Sequence, residues 1–334
     1  MYKVQLLLNR SEREAVVYLA ISSLVLSVCI FFIFGQVTNA FPGQASPAEW
    51  YSHFSRNIFL PQTEYPAESI LLPLLAKILQ ANGSTRIYES LCSALTLGIL
   101  PTVTLYALVV FHSARKALIF MLLFSITFKY LWAYVLGFPD PLTIIFLCLA
   151  GLARKPVVVA SCVLLAGLSH FSATVLATLC LLGLWYATSA PTLPNRWKTI
   201  AYSLAALCIS KLLLSLWYFS FGYKLNTRID WVLDKDLLFF LANYKKEPFI
   251  FWTTPGVSFL MTFVFSGGYL IAVKKYLLAA SLVFVLLVAY SALFFTIDGL
   301  RVFYIVTPAA YVFLVSKCTD VISGFLKVDS IRSI

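Results

Sequence analysis

The stretch PVVVASCVLLAGLSHFSATVLATLCLLGLWY, residues 156–186, decides how this chain is arranged. It is apolar almost throughout and is longer than one ordinary membrane crossing, since a hydrocarbon core of about 30 Å needs about 20 helical residues. It forms either one overlong helix or two short helices that meet at Ser169-His170-Phe171. A histidine in mid-membrane costs much more free energy than a histidine at a water-facing tip. The two alternatives place all later segments on opposite sides of the membrane.

Basic residues choose between these alternatives, because Lys and Arg concentrate in short cytoplasmic loops. If there are two helices, four basic loop positions fall on the same side as both basic termini: Arg115-Lys116, Arg154-Lys155, Arg196 with Lys198, and Lys274-Lys275. If there is one helix, Lys274-Lys275 and the C-terminal tail move to the other side. We therefore predict two helices, with both termini cytoplasmic.

The composition is that of a membrane protein. Of the 334 residues, 61% are hydrophobic and only 12% are charged, whereas about a quarter of the residues of a soluble protein are charged. Continuous apolar runs favour helices over a β-barrel, whose strands alternate. We predict an all-α bundle of about ten spans that forms a single domain over residues 1–334. The predicted spans are 15–35, 88–111, 117–137, 141–153, 156–169, 171–187, 199–222, 250–273, 276–297 and 302–316.

The net charge of +11 does not indicate a nucleic-acid partner. The Lys and Arg residues are scattered in ones and twos at the ends of predicted spans, where they set the orientation of the chain.

The seven cysteines lie in or beside apolar segments without a C-x-x-C pair, which is typical of core residues. The apolar run from Ala15 is too long for a signal peptide. The predicted location is therefore the plasma (inner) membrane.

The acidic residues are segregated. Under this topology, four of the fourteen lie in cytoplasmic tails, and ten fall on or near the external face: Glu49, Glu64, Glu68, Glu89, Asp140, Asp230, Asp234, Asp236, Glu247 and Asp298. This distribution predicts that the chemistry of the protein takes place on the external, periplasmic face. The apolar segment Glu68–Gln80 in the first external loop is too short to span, and we predict that it forms an interfacial helix.

The first external loop, 36–87, offers groups that suit a sugar. Glu49 is predicted to be catalytic, as the base that accepts a proton from an acceptor hydroxyl. Aromatic faces stack on the C–H surfaces of sugar rings. The predicted substrate-binding residues of this loop are Trp50, Tyr51, His53 and Arg56. The alternative interpretation is an ordinary solvated loop with interfacial aromatic side chains.

Two short turns are predicted to bring further catalytic groups to the same face. Asp140 stands between two prolines as the only charge of its turn, and it is either a site carboxylate or the cap of the following helix. His170 at the tip of the 156–186 stretch is predicted to donate to a phosphate or to shuttle a proton. The alternative for His170 is a structural histidine whose hydrogen bonds are satisfied.

Cations are expected to hold the phosphate of a lipid carrier while negative charge develops on it. Four residues are predicted to bind the substrate in this way: Lys129, Lys211, Arg228 and Arg301. Lys129 and Lys211 lie inside apolar runs, where a charge usually faces a cavity or a partner. For Arg301 the alternative is a local ion pair with Asp298.

A divalent cation is the one cofactor that the sequence suggests. Asp230, Asp234 and Asp236 offer the carboxylate oxygens that hard cations prefer. Arg228 and Lys235 are interleaved with them and weaken this interpretation. Metal dependence is therefore left open.

Three motifs resemble those of integral-membrane glycosyltransferases of the GT-C superfamily. Ser46–Tyr51 (SPAEWY) is similar to the acidic element of their first external loop, and Phe138–Pro141 (FPDP) is similar to a second acidic turn. Tyr65–Leu75 (YPAESILLPLL) resembles their Y-R-x-L-x-P-L-L element, with Glu68 in place of the arginine. The resemblance implies a polyprenyl-phosphate sugar donor and a first-loop acid, here Glu49, that acts as the base or binds a metal.

The predicted function is transfer of a sugar from a polyprenyl-phosphate donor to a glycan, lipid or protein acceptor at the external face. Leu164–Thr174 (LLAGLSHFSAT) also resembles an element of EpsG-like and O-antigen-polymerase-like proteins. A polymerase or ligase of lipid-linked polysaccharide is therefore the second prediction. The third is a transporter or flippase of lipid-linked sugar, which Lys129 and Lys211 favour and the lack of an inverted repeat opposes.

Overall fold

The structure is a computed structural model. It describes residues 10–34, 47–58, 69–128, 137–153, 155–187, 195–222, 235, 239, 255–294 and 299–316. Over these ranges the chain is helical and contains no strand, so the predicted all-α class is confirmed. Helices satisfy their own backbone hydrogen bonds, which is why continuous apolar runs adopt them.

The helices follow one another with short connections over most of the described chain. In order they are α1 (Arg10–Phe34), α2 (Pro47–Arg56), α3 (Leu71–Ile78), α4 (Thr85–Leu97), α5 (Ile99–Phe111), α6 (Ala114–Thr127), α7 (Asp140–Leu152), α8 (Pro156–Ser169), α9 (Phe171–Ala187), α10 (Arg196–Ser220), α11 (Pro255–Ala272), α12 (Tyr276–Phe294), α13 (Gly299–Val306) and α14 (308–316). The predicted interfacial helix corresponds to α3, which packs against α2 and buries Leu72 and Ala76.

Three stretches of the described chain are long and apolar enough to cross a membrane: Glu14–Ile33, Thr85–Phe111 and Arg196–Ser220. Other apolar helices, including α7, α8 and α9, have only 10–17 residues. An α-helix rises about 1.5 Å per residue, so the shortest of these cover less than the full hydrocarbon thickness. Membrane insertion is compatible with this set of helices, and the count of ten spans stays a prediction.

The stretch 156–186 forms two helices that meet at His170. The backbone of His170 is extended, with φ −152° and ψ 93°. Its N–H still closes the last turn of α8 by donating to the Ala166 carbonyl at 2.8 Å. The next helix begins at once, because the Thr174 N–H donates to the His170 carbonyl at 3.0 Å. The helix break therefore lies where the basic loops predict it.

Contacts between helices give their directions. The Ser169 hydroxyl donates to the Pro139 carbonyl at 2.9 Å, so α8 ends beside the start of α7. At the far end of α9, Arg196 Nη1 donates to the Tyr186 carbonyl at 2.9 Å, which ties this end to the start of α10. α12 runs antiparallel to α9, because Cys180 Sγ lies 3.9 Å from the Val285 carbonyl and Phe284 packs against Gly183.

These directions separate two ends of the bundle. One end, which we call the acidic end, holds the start of α7, the break at His170 and the start of α13. The helix ends that carry basic residues lie at the opposite end: the start of α6 with Arg115 and Lys116, Lys155 at the start of α8, the start of α10 with Arg196 and Lys198, and the connection 273–275 between α11 and α12.

The centre of the bundle is formed by α13 and α14, in which every residue from 301 to 312 is buried. Tyr311 packs against Phe124, Phe128 and Phe259 with ring centroids 5.2–6.4 Å apart. The Tyr311 hydroxyl lies 3.1 Å from Thr127 Oγ1, so its polar atom has a partner inside the core. A helix that is apolar on all sides belongs in the interior. This placement carries Arg301 into the middle of the acidic end.

Close packing between α8 and α10 predicts the effect of one substitution. A Cβ atom on Gly167 would lie 2.5 Å from Ser210 Oγ and 2.9 Å from Ser210 Cβ. We expect Gly167→Ala to lower the free energy of unfolding by about 1–3 kcal/mol, because overpacking forces the two helices apart. Thermal unfolding in detergent micelles measures the loss.

Two controls separate crowding from the general effect of replacing a helical glycine. Gly268→Ala on α11 adds a methyl group where no atom lies within 4 Å, and it should be neutral or slightly stabilising. Ser210→Gly in the Gly167→Ala background should restore part of the lost stability. Equal melting temperatures for Gly167→Ala and Gly268→Ala would contradict the close packing of α8 on α10.

Candidate active site

The turn that leads into α7 fixes the position of the first-loop helix. Gly137 has φ +85°, a conformation that favours glycine. A Cβ atom there would lie 2.7 Å from the backbone nitrogen of Ala48 in the first turn of α2. The lack of a side chain at Gly137 therefore lets α2 lie directly against the turn. Helix α7 then begins at Asp140, with Pro139 as its N-cap residue.

Asp140 lies at the centre of the acidic end and is fully buried. Its Oδ2 atom is 3.4 Å from Arg301 Nη1, and its Oδ1 atom is 4.0 Å from His170 Nε2. The structure thus brings together three predicted site residues from distant parts of the sequence. A buried carboxylate requires a cation or hydrogen-bond donors close by, and Arg301 supplies that cation.

Arg301 is only 2% exposed and is held from two sides. Its guanidinium carbon lies 3.8 Å from the centroid of the Phe138 ring, and Tyr51 contacts the same ring edge-to-face at 6.2 Å. A guanidinium over an aromatic face gains cation–π attraction, which increases when water is excluded. The arginine is therefore fixed between the Asp140 carboxylate and the ring of Phe138. Asp298, the local partner considered for it, lies outside the described residues.

The imidazole of His170 is oriented by its neighbours. Its Nδ1 atom accepts a hydrogen bond from the Ala173 N–H at 3.3 Å, as an N-cap side chain does at the start of a helix. An accepting Nδ1 carries no proton, so the neutral ring has its proton on Nε2, which faces Asp140. His170 therefore caps the start of α9, which is a structural role, and it also lies beside the Asp140 carboxylate. At 4.0 Å the contact with Asp140 is electrostatic and too long for a hydrogen bond.

Helix α2 presents the other predicted residues on its outer side. Glu49, Trp50, His53 and Arg56 are exposed there, and Arg56 Nε donates to the Asn82 carbonyl at 2.9 Å. Tyr51 points inward and is 2% exposed. In this structure Tyr51 supports Phe138, which differs from the exposed sugar platform that the sequence predicts for it.

The contact of α2 with the turn limits the distance between Glu49 and Asp140. Because Ala48 touches Gly137, and because consecutive Cα atoms are about 3.8 Å apart, their Cα atoms lie within about 20 Å of each other. Glu49 is therefore an exposed residue at the acidic end, whereas Asp140 is buried there. The two carboxylates have different environments and can have different roles.

The other predicted residues are placed as follows. Lys211 lies on α10, and its ammonium group is 5.2 Å from the centroid of the Phe171 ring. Phe171 directly follows His170 in the sequence. Several predicted groups lie outside the described residues: Lys129, Arg228, Glu64, Glu68, and the cluster Asp230, Asp234 and Asp236. The candidate cation site and half of the predicted lysine–arginine set are therefore without a structural description.

Two neighbours of Asp140 have no role in the sequence interpretation. Phe138 binds the Arg301 guanidinium face, although an aromatic residue beside a proline gives no local sign of such a role. Tyr88 on α4 is fully buried and lies within electrostatic reach of Tyr51 and Asp140. The only local sign for Tyr88 is a phenol in the first turns of an apolar helix, where a buried hydroxyl requires a polar environment.

The contact between Gly137 and Ala48 predicts the effect of Gly137→Ala. We expect α2 to separate from the turn, because the new Cβ would meet a backbone atom that no rotamer change can move. The expected loss of stability is about 1–3 kcal/mol. A local readout is the thiol of Cys92, which is fully buried behind this turn and should become reactive to maleimide, as mass spectrometry of its peptide can measure.

The control for this variant is Gly222→Ala. Gly222 also has a positive φ, +73°, but no atom lies within 4 Å of its added Cβ. It therefore carries the backbone strain without the steric conflict. An unreactive Cys92 in Gly137→Ala would be inconsistent with the proposed docking of α2.

The chain was compared with protein-family models, with curated proteins and with solved structures, and none of these comparisons found a match.

Proposed function

We propose that the protein is a membrane glycosyltransferase that moves a sugar from a polyprenyl-phosphate donor to an acceptor at the acidic end of the bundle. The observation that carries this proposal is the buried group of Asp140, Arg301 and His170, with the exposed carboxylate of Glu49 at the same end of the bundle. A cation fixed beside a carboxylate in a low-dielectric interior suits a reaction in which a phosphate departs with negative charge. The GT-C-like order of motifs and about ten membrane spans belong to the same proposal.

The geometry favours different roles for the carboxylates of Asp140 and Glu49. Asp140 is fully buried with its Oδ2 atom 3.4 Å from Arg301 Nη1, so its carboxylate contacts the guanidinium and is closed to an acceptor hydroxyl in the solvent. Glu49 is exposed on α2 and is the better general base. In this proposal Asp140 holds Arg301 in position, and Glu49 takes the proton.

The proposed reaction is a displacement at the anomeric carbon of the donor sugar. A hydroxyl oxygen of the acceptor forms a bond to that carbon and gives its proton to Glu49. The bond from the anomeric carbon to the phosphate oxygen breaks, and the phosphate keeps the electron pair. A guanidinium has five N–H donors in a planar fork, so Arg301 can donate hydrogen bonds to a phosphate while it also contacts Asp140. The products are the glycosylated acceptor and the free lipid phosphate.

The aromatic and polar side chains around Glu49 are proposed to hold the sugars. Trp50 is 36% exposed beside Glu49 and offers a ring face to a pyranose. His53 lies one turn further along the same exposed side of α2 and can donate to a hydroxyl. The acceptor is a glycan, a lipid or a protein, and the proposed location is the external face of the inner membrane.

A deletion strain tests this function. We expect loss of one sugar from each unit of a cell-envelope glycan, together with accumulation of a lipid-linked sugar, both measured by mass spectrometry. Complementation with the wild-type gene should reverse both changes. A glycan of shorter chain length with an intact repeating unit would indicate a polymerase instead. Unchanged glycans and unchanged lipid-linked sugars in the deletion strain would overturn the proposal.

A further inference from the structure

Lys211 is a cation on a helix whose outer surface is apolar. Helix α10 is one of the candidate membrane spans, and only a third of its apolar window is buried inside the bundle. Lys211 itself is half-buried at the edge of that packing face. Exposed and mostly apolar residues of α10 lie near Lys211 on the helix surface: Leu204, Cys208, Leu212 and Phe219. A charge on such a surface requires an anionic partner or water.

The ammonium group lies at the level of the candidate active site. Ser210, the residue before Lys211, packs against Gly167, which is one helical turn before His170. The Lys211 Nζ atom lies 5.2 Å from the centroid of the Phe171 ring, and Phe171 directly follows His170. Lys211 thus contacts the residue that directly follows His170 in the chain. The cation is therefore a lipid-side neighbour of the buried site.

We propose that the edge of α10 around Lys211 is the lateral entry for the lipid-linked donor, and that Lys211 is the first contact of its phosphate. This inference rests on the proposed function. The occupant follows from charge complementarity, because a half-buried cation beside exposed apolar side chains matches a phosphate attached to a hydrocarbon chain. The chain of the carrier lies along Leu204 and Cys208, and the phosphate passes Phe171 on its way to Arg301.

The orientation of the carrier follows from the direction of α10. Its start at Arg196 lies at the basic end of the bundle, and its later part reaches the acidic end, where Tyr218 belongs to the same apolar cluster as Tyr51. Leu204 and Cys208 precede Lys211 in the helix and so lie farther from the acidic end, while Phe219 lies nearer to it. This order fits a carrier whose phosphate points toward the acidic end and whose hydrocarbon chain points away from it, toward the middle of the bundle.

Photo-cross-linking tests the entry site independently of activity. Full-length protein in phosphatidylcholine vesicles is mixed with a diazirine-bearing polyprenyl phosphate, and the cross-linked peptides are identified by mass spectrometry. We expect adducts on α10 around residues 204–212. Lys211→Met should lower the yield about tenfold, because a charge-assisted contact with the phosphate is lost. Lys211→Arg should keep most of the yield.

Lys198→Met is the matched control, because Lys198 lies at the opposite end of the same helix. It should leave the yield unchanged, and unlabelled polyprenyl phosphate should compete where phosphatidylglycerol and inorganic phosphate do not. Equal competition by phosphatidylglycerol, or an unchanged yield in Lys211→Met, would overturn the inference. If the proposed function is wrong, the deletion strain keeps normal glycans, and the site of cross-linking on α10 does not depend on that result.

Discussion

Replacing Arg301 by methionine will lower the free energy of unfolding by about 3–5 kcal/mol, the usual consequence of leaving a buried charge without its partner. Methionine keeps much of the packing over Phe138 but removes the guanidinium, so the fully buried Asp140 carboxylate loses the cation 3.4 Å from it. The measurement is unfolding of the purified protein in detergent, by heat or by denaturant. This is the largest stability effect that the described part of the structure predicts.

The double variant separates the structural role of the pair from its catalytic role. Adding Asp140→Asn to Arg301→Met removes both charges, and we expect it to recover much of the lost stability. It should not recover function, because Asn and Met can neither hold nor stabilise a departing phosphate. Complementation of the deletion strain should therefore fail with the single and the double variants. A double variant that is stable and fully active would show that the pair serves the fold alone.

A half-buried arginine outside the site provides the control for charge removal. Arg196 lies at the opposite end of the bundle, where its Nη1 atom donates to the Tyr186 carbonyl. Arg196→Met should cost less than about 1 kcal/mol, as contacts at exposed charges usually do. A loss equal to that of Arg301→Met would contradict the special position of Arg301.

Replacing Glu49 by glutamine will reduce sugar transfer by about 10²–10⁴-fold, the usual contribution of a general base. Glutamine has nearly the same shape but cannot accept the proton of the acceptor hydroxyl. Because Glu49 is exposed in the first turn of α2, the free energy of unfolding should change by less than about 0.5 kcal/mol. The measurement is glycan analysis of the complemented deletion strain, with membrane insertion checked in parallel.

Glu89→Gln is the matched control for Glu49→Gln. Glu89 is another acid assigned to the external face, it lies on α4, and it has no proposed part in the reaction. This variant should complement fully. A normal glycan from Glu49→Gln would remove Glu49 from the mechanism, and a normal glycan from Asp140→Asn as well would remove the proposed enzyme activity.

The helical class follows from local properties of the chain. Apolar runs such as 199–222 require helices, because an unpaired backbone group in hydrocarbon costs several kcal/mol. The helix break at His170 also follows from the sequence, although indirectly. The charges that locate it, such as Lys274-Lys275, lie far along the chain, and they act as predictors of the side of the membrane on which each loop lies.

Individual polar residues of the acidic end are visible in the sequence, but their pairing is not. Asp140, His170 and Arg301 each stand out as a polar group at the end of an apolar run. The sequence offers Asp298 as the natural partner of Arg301, and the structure shows the distant Asp140 against Arg301. Contact between residues 140 and 301 depends on how α13 packs among α7, α9 and α12, and no local pattern records that packing.

The same limit applies to the short helix α2. Its sequence, PAEWYSHFSR, mixes polar and aromatic residues, so it does not tell which aromatic side chain faces the bundle. The contacts of α2 with the turn at Gly137 and with α3 and α4 decide that Tyr51 turns inward and that Glu49 is exposed. The sequence by itself thus determined the helical class, the break at His170 and the residues worth testing. The tertiary structure alone decided which of them meet, because side-chain contacts across 160 residues depend on helix packing and not on any local preference.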